Sequence, residues 1–306
     1  MMRYALNADT VSRQTRAAQR EVAIRSPQNI CLFLALLLCM AGLPSRADAT
    51  DLQPEAVQGF DRYIRLSEQR MAGEARPGGT FLWLDTLPES GRREAGARLK
   101  RGEVVSEKLQ TTDPSGNSST PGALIHHWVG TVFISGASLR QVLALVQDYD
   151  HHYAYYSPEV VKSKILEHSS NDFKVYLRLK KKKVVTVVLD TEYLVHYHTL
   201  DATRAFSESY STRIAEISHP DEPDERATPE GKGEGFMWRL NSYWRFAERD
   251  GGVYVQCEAI SLTRDIPAGL NWLIAPFIES IPRESLEFTL ASTRTAVLRG
   301  GTHILR

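Results

Sequence analysis

Three pairs of histidines are the residues whose type and spacing first suggest chemistry here: His126 and His127, His151 and His152, and His196 and His198. Imidazole is a common neutral metal ligand and the side chain that titrates near neutral pH. Adjacent residues on a strand point to opposite faces, so His126 and His127 cannot hold one ion together. His151 and His152 stand in a loop, where solvated side chains are the ordinary reading. His196 and His198 share a face, but no Cys, Asp or Glu stands at a comparable spacing to complete three or four ligands. No metal and no cofactor are expected.

Nucleophiles are equally sparse. There is no Gly-x-Ser-x-Gly elbow and no Ser-x-x-Lys. Cys257 sits in an apolar strand row and reads as inert core rather than as a nucleophile. Ser242, Tyr193 and Tyr197 fall on the faces expected to turn inward. Their hydroxyls either position a substrate and move protons or are satisfied within the core. Lys180 to Lys183, reinforced by Arg178, form the densest charge cluster. The cluster reads as a solvated turn, or else as a contact for anionic headgroups.

The elements that must position these residues begin after a leader. Ile30 to Leu43 is apolar throughout, follows Arg20 and Arg25, and ends in Pro44, Ser45 and Ala47-Asp48-Ala49. This is the pattern of a cleavable secretory signal over 1-49, cut after Ala49. Fourteen apolar residues fall short of the roughly 20 that a spanning helix needs. The long stretch before the run suggests a true start near Val22. Cleavage removes Cys31 and Cys39 and leaves Cys257 without an intrachain partner. It also leaves 31 basic against 34 acidic residues, a balance that argues against nucleic acid as a partner.

Residues 50-122 read as a helical extension and linker. Leu52, Val57, Phe60, Ile64 and Leu66 give an amphipathic helix, Thr80 to Leu84 a strand-like stretch, and Glu89 to Leu109 a charged helix. Asp113-Pro114-Ser115-Gly116-Asn117 lies in a linker by composition. From 123 to 300 the order becomes distinctive. A strand over 124-135 is followed by a helix capped by Ser138, and then by strands at 161-168, 172-182, 184-199, 204-217, 235-249 and 252-264. The turn Asp250-Gly251-Gly252 is a strong hairpin signal. One long helix, about Gly269 to Leu298 and interrupted near Pro276 and Pro282, closes the chain. This is an α+β layout in which a sheet with one covered face wraps the last helix. Phe236, Trp238, Leu240, Trp244 and Phe246 fall on one side, opposite Arg239, Asn241, Tyr243 and Arg245. The small row Val253, Val255, Cys257 and Ala259 faces those aromatics. Large facing small leaves room for a cavity, or else a fully filled core.

With Trp128 to Phe133, the helix Leu139 to Asp148, the hairpin from Tyr243 to Val255 and the segment Arg264-Asp265-Ile266-Pro267, residues 124-299 resemble the START-like, or SRPBCC, superfamily. That resemblance implies a helix-grip fold, with a curved antiparallel sheet around a long C-terminal helix and a deep apolar tunnel. Members bind lipids, sterols, polyketides or other bulky apolar molecules, and only some are catalysts. The expected function is thus an exported, periplasmic or secreted protein that binds or transfers a lipid-like or other hydrophobic molecule, with transient membrane-surface contact. A cyclase or dehydratase using hydroxyls in the same tunnel is the alternative. Tyr193, Tyr197, Trp238, Ser242, Trp244 and Cys257 are expected to face the ligand. Trp272 and Phe277, with the loop tyrosines Tyr149, Tyr153, Tyr155 and Tyr156, stand where such a tunnel has its mouth.

Overall fold

Alternation of period two from residue 123 onward builds a sheet, and the short polar turns between strands make it antiparallel throughout. The computed structural model describes residues 51–76, 78–112, 120–183, 185–265 and 271–300, with residues 271–278 described for the backbone alone. The expected leader, its cut after Ala49, and Ile266-Pro267 lie outside these residues, as do the side chains of Trp272 and Phe277.

The first part forms helices α1 (Pro54–Glu74), α2 (Trp83–Thr86) and α3 (Glu89–Lys100) and a short strand β1 (Val105–Lys108). Then come β2 (Ala123–Ser135), α4 (Leu139–Val146) and the single turn α5 (His152–Tyr155). The meander follows as β3 (Val160–Ser169), β4 (Asp172–Lys182), β5 (Thr186–Thr199), β6 (Arg204–Ser218), β7 (Arg226–Ala227), β8 (Arg239–Arg249) and β9 (Gly252–Arg264), and the chain continues into α6 (Asn271–Gly300). The strand order is β1-β2-β9-β8-β6-β5-β4-β3, with β7 beside β6. A strand, a helical excursion, an antiparallel meander and a final helix against the sheet are the helix-grip order expected. Among the described residues no helix is long and apolar enough to cross a membrane.

Ser138 caps α4 as expected: its side chain accepts the Gln141 amide N–H while the Gln141 side chain takes the Ser138 N–H. Three expectations are corrected. Residues 80-84 have no partner strand, and Trp83 instead opens α2 with its amide donated to Gln256 Oε1 at 2.7 Å. The charged helix stops at Lys100, because β2 pairs with the residues after it, Val105 opposite Thr131 through Lys108 opposite Trp128. The last helix is assigned unbroken over Asn271–Gly300, since a proline removes one hydrogen bond and bends a helix without stopping it when both halves are held.

Residues of β9 alternate between two covered faces. Inward, Val253, Val255 and Cys257 join Val132, Ile134, Phe246, the α4 residues Leu139, Val142 and Leu145, and Leu286 and Leu290 of α6. Gly130 lets α6 come this close, because a Cβ there would lie 2.7 Å from Leu290 Cδ1. Outward, Ile260 and Leu262 meet Ala56, Phe60, Tyr63, Ile64 and Met71 of α1. Tyr254, Phe133 and Ala247 meet Leu82, Leu84, Ala95 and Leu99 of α2 and α3. The expectation of one covered face therefore does not hold for β8 and β9.

Trp238 is corrected with it. It precedes β8, where alternation has not begun, and it belongs to the outer cluster with Phe60 and Tyr63 rather than beside Trp244. Gly235, at φ +71°, makes the bend, and a Cβ there would stand 2.9 Å from the Trp238 ring. Phe236, in the same lead-in, is 45% exposed.

Candidate apolar binding face

The inner face is ordered by strand register. One row across the sheet runs Trp128, Ala259, Ser242, Ser209, Val195 and Phe173. The next runs Gly130, Cys257, Trp244, Ser207 and Tyr197. Burial differs along the strands. Toward the β8–β9 hairpin, Phe246, Val253, Val255 and Ile134 are fully shut. Toward the other end, Leu240, Ser242, Trp244 and Trp128 are only half-buried, as are Leu177 and Ile165 across the sheet. The Arg283 guanidinium stands 6.0 Å from the centre of the Trp128 ring. Lys183 pairs with Glu284 at 2.7 Å, so the open half of the face lies toward the earlier part of α6. On β8 the burial is the reverse of what polarity alone dictates: Asn241, Tyr243 and Arg245 are buried beneath α1, while the inner residues between them stay partly open.

Hydroxyls deeper in this face are committed. The Tyr149 and Tyr197 hydroxyls are 2.9 Å apart, and Tyr197 donates to the Val146 carbonyl at 3.3 Å. Burial pushes the Tyr197 phenol well above its ordinary value and the Tyr193 phenol up to about 12. Tyr156 meets Thr293 Oγ1 at 3.1 Å, and burial raises it to about 12. Burial also raises the Cys257 thiol far from the thiolate range. Protonated phenols and a protonated thiol are poor bases and nucleophiles at neutral pH. Tyr153, by contrast, is 48% exposed, and Tyr155 donates to Asp148 at 2.6 Å.

The histidine pairs are dispersed. His126 Nε2 lies 3.0 Å from Thr263 Oγ1, and burial lowers its pKa to about 4. His152 Nε2 lies 3.2 Å from the Val146 carbonyl oxygen, and burial lowers it to about 4 as well. On the outer face, His196 pairs with Asp172 at 2.5 Å and His198 with Glu208 at 3.5 Å. Those carboxylates lie on neighbouring strands, which spacing within β5 does not reveal. An exposed group, His219, Glu222 and Asp224, also brings three ligand atoms within 4.8 Å of one another.

The lysine run is largely neutralised by carboxylates far along the chain. Lys181 pairs with Glu159, Lys180 with Asp221 at 3.6 Å and Lys183 with Glu284. Arg178 grips Asp190 at 2.7 and 2.9 Å and reaches Glu225 at 2.9 Å. Among the described residues, Lys182 is the member of the run without an ion-pair partner.

A polar network on the outer face was not legible in advance. Tyr63 Oη lies 2.8 Å from His127 Nδ1, and His127 Nε2 lies 2.6 Å from Glu258 Oε1, to which Arg70 also donates. Glu74 joins Arg70 at 2.8 Å to Arg245 at 2.7 Å, and Arg245 donates on to the Phe81 carbonyl at 2.7 Å. Glu68 accepts from Tyr243 at 2.8 Å and from Tyr210 at 2.9 Å. Burial would raise the Glu258 carboxyl, but the hydrogen bond and charge of His127, with Arg70, hold it below the usual range.

No protein-family model matches the chain, and no curated protein does. Solved structures do. A STAR-related lipid transfer protein from Xanthomonas axonopodis is 17% identical, over 63% of this chain and 98% of that one, at a TM-score of 0.41. The Zhui aromatase/cyclase from Streptomyces sp. R1128 is 13% identical, over 59% and 98%, at 0.41. Human STARD10 is 8% identical, over 72% and 84%, at 0.39. The strand order of this chain is its own ground for the fold. That fold is a helix grip, an antiparallel sheet against a long C-terminal helix.

Proposed function

We propose that this chain is an exported binding or transfer protein that encloses a lipid-like or other hydrophobic molecule between the inner sheet face and α6. One observation carries the reading: Leu240, Ser242 and Trp244 keep surface open on the inner face, although the polar residues between them are buried. Water against such a surface forms few hydrogen bonds, and an apolar molecule displaces it favourably. Burying about 300 Å² of apolar ligand surface contributes about 7 kcal/mol before the cost of ordering the ligand.

Trp244, Ser242, Cys257, Tyr193 and Tyr197 would line the ligand, with Trp272 and Phe277 toward the mouth; Trp238, on the outer face, has no part in it. Export is supported by the apolar run Ile30 to Leu43 and the Ala47-Asp48-Ala49 site, the pattern of a cleavable secretory signal, with the periplasm or the outside of the cell as the proposed destination. Carriage is favoured over cyclase or dehydratase chemistry because the deeper phenols are engaged by the protein itself, Tyr197 by Tyr149 and the Val146 carbonyl and Tyr156 by Thr293.

Native mass spectrometry of the secreted protein, followed by organic extraction, tests both parts. The expected result is a mature chain beginning at Thr50 that carries an apolar molecule released on denaturation. A purified chain that neither carries nor takes up any apolar molecule overturns the reading.

A further inference from the structure

Three serines of β6 point to the inner face. Ser207 stands opposite Tyr197 across the strand pair, and Ser211 Oγ accepts the Leu240 amide N–H at 3.0 Å. Ser209 is only 7% exposed, and among the described residues its hydroxyl has no hydrogen-bond partner. Directly across the strand pair stands Ser242, likewise without one. Further along the same row, beyond Ala259, the Trp128 indole N–H is buried and unpaired. Neighbouring strands are about 4.8 Å apart, so the two hydroxyls can converge on a single ligand atom. Neither hydroxyl is spent on the protein, so a ligand oxygen that accepts from them or donates to them gains hydrogen bonds at no cost to the fold, and the Trp128 N–H is the enclosed orphan of the same row.

The surroundings restrict what the oxygen belongs to. Inner residues of β4 from Phe173 to Leu179, β5 from Leu189 to Tyr197, β6 from Ala205 to Ser211, β8 from Leu240 to Phe246 and β9 from Val253 to Thr263 carry no charge. Of the charges near this face, Lys181 and Lys183 are engaged by Glu159 and Glu284, and Arg283, with Glu287 at 3.9 Å, stands over the Trp128 ring, three strands from Ser209. A carboxylate or phosphate brought to Ser209 would lose its hydration without meeting a cation.

Building on the proposed apolar site, we propose that its ligand is a neutral alcohol or ketone with an apolar body, its oxygen held by Ser209 and Ser242. This excludes fatty acids and phosphate-bearing lipids whose head would lie on this row.

The test displaces the neutral dye N-phenyl-1-naphthylamine from the mature protein with decan-1-ol or with decanoate. The expected result is that decan-1-ol competes about tenfold better than decanoate, and that the double variant S209A/S242A weakens decan-1-ol about tenfold relative to the dye itself, the scale of one good hydrogen bond, in a protein whose Tm has not fallen. If the dye binds but the alcohol and the acid compete equally, or the variant leaves the alcohol unaffected, the serine anchor is wrong and the apolar site stands. If the dye and both competitors fail to bind, the site itself is wrong and the anchor falls with it.

Discussion

His127 Nε2 lies 2.6 Å from Glu258 Oε1, with both side chains almost fully shut from solvent beneath α1. Tyr63 closes the imidazole from the other side and Arg70 completes the carboxylate. Removing one member of such a group leaves the others buried and uncompensated. Glu258→Ala should therefore lower stability by about 3 kcal/mol or more, read as a fall in the urea midpoint. A change under a third of that would mean that solvent reaches the group. Because the Glu258 pKa is depressed in the folded state, its contribution is present above the ordinary carboxylate range and is lost as pH falls through the folded value.

Mild acid should weaken the protein before any carboxylate titrates. His126 and His152 both have folded pKa values lowered to about 4, while an unfolded histidine titrates near 6.5. The unfolded chain therefore binds protons first, and stability falls from about pH 6.5 down to about pH 4, roughly 2 kcal/mol per histidine by pH 5. Denaturation midpoints at pH 7 and pH 5 check this, and His152→Gln should remove about half of the difference.

Gly130 tests how closely α6 must sit. A side chain there meets Leu290 at 2.7 Å and Leu286 at 3.2 Å, in the fully buried part of the core. Gly130→Val should cost about 2 kcal/mol, by pushing the helix off the sheet. A neutral effect in thermal melts would show that the helix has room to withdraw.

Filling the open half of the inner face should separate stability from binding. Ser242→Leu removes an unpartnered hydroxyl and adds apolar volume beside Trp244 and Leu240. The expected outcome is a gain of about 1 kcal/mol together with loss of uptake of an apolar dye. Retained uptake at full affinity would place the ligand elsewhere.

Much of the sheet was legible because its inner rows obey alternation: Val253, Val255 and Cys257 face α6, and Ser138 caps α4, both from local patterns. What escaped has partners remote in sequence. Asn241, Tyr243 and Arg245 read as a solvated row because nothing nearby announces Glu68 and Glu74, which Tyr243 and Arg245 meet 175 and 171 residues back along the chain. Lys180 and Lys183 read as a free charge run for the same reason, their carboxylates being Asp221 and Glu284. Trp238 was misplaced because the period of two was carried into residues that precede the strand. Within the candidate site, Trp244 and Ser242 were visible from β8 alone. Ser209 becomes visible only when β6 is set in register against β8.

The polar network beneath α1 also bears on the order of events for a chain made from its N-terminus. Arg70 and Glu74 are synthesised early, yet their partners Glu258 and Arg245 emerge 188 and 171 residues later. Until β8 and β9 arrive, α1 is an amphipathic segment with its apolar stripe uncovered and its charges unmatched. Such distant pairings make for slow closure. A chain ending short of β9 has neither Ile260 and Leu262 to cover the apolar stripe of α1 nor Glu258 to meet Arg70, so α1 is the first element written and among the last to be seated.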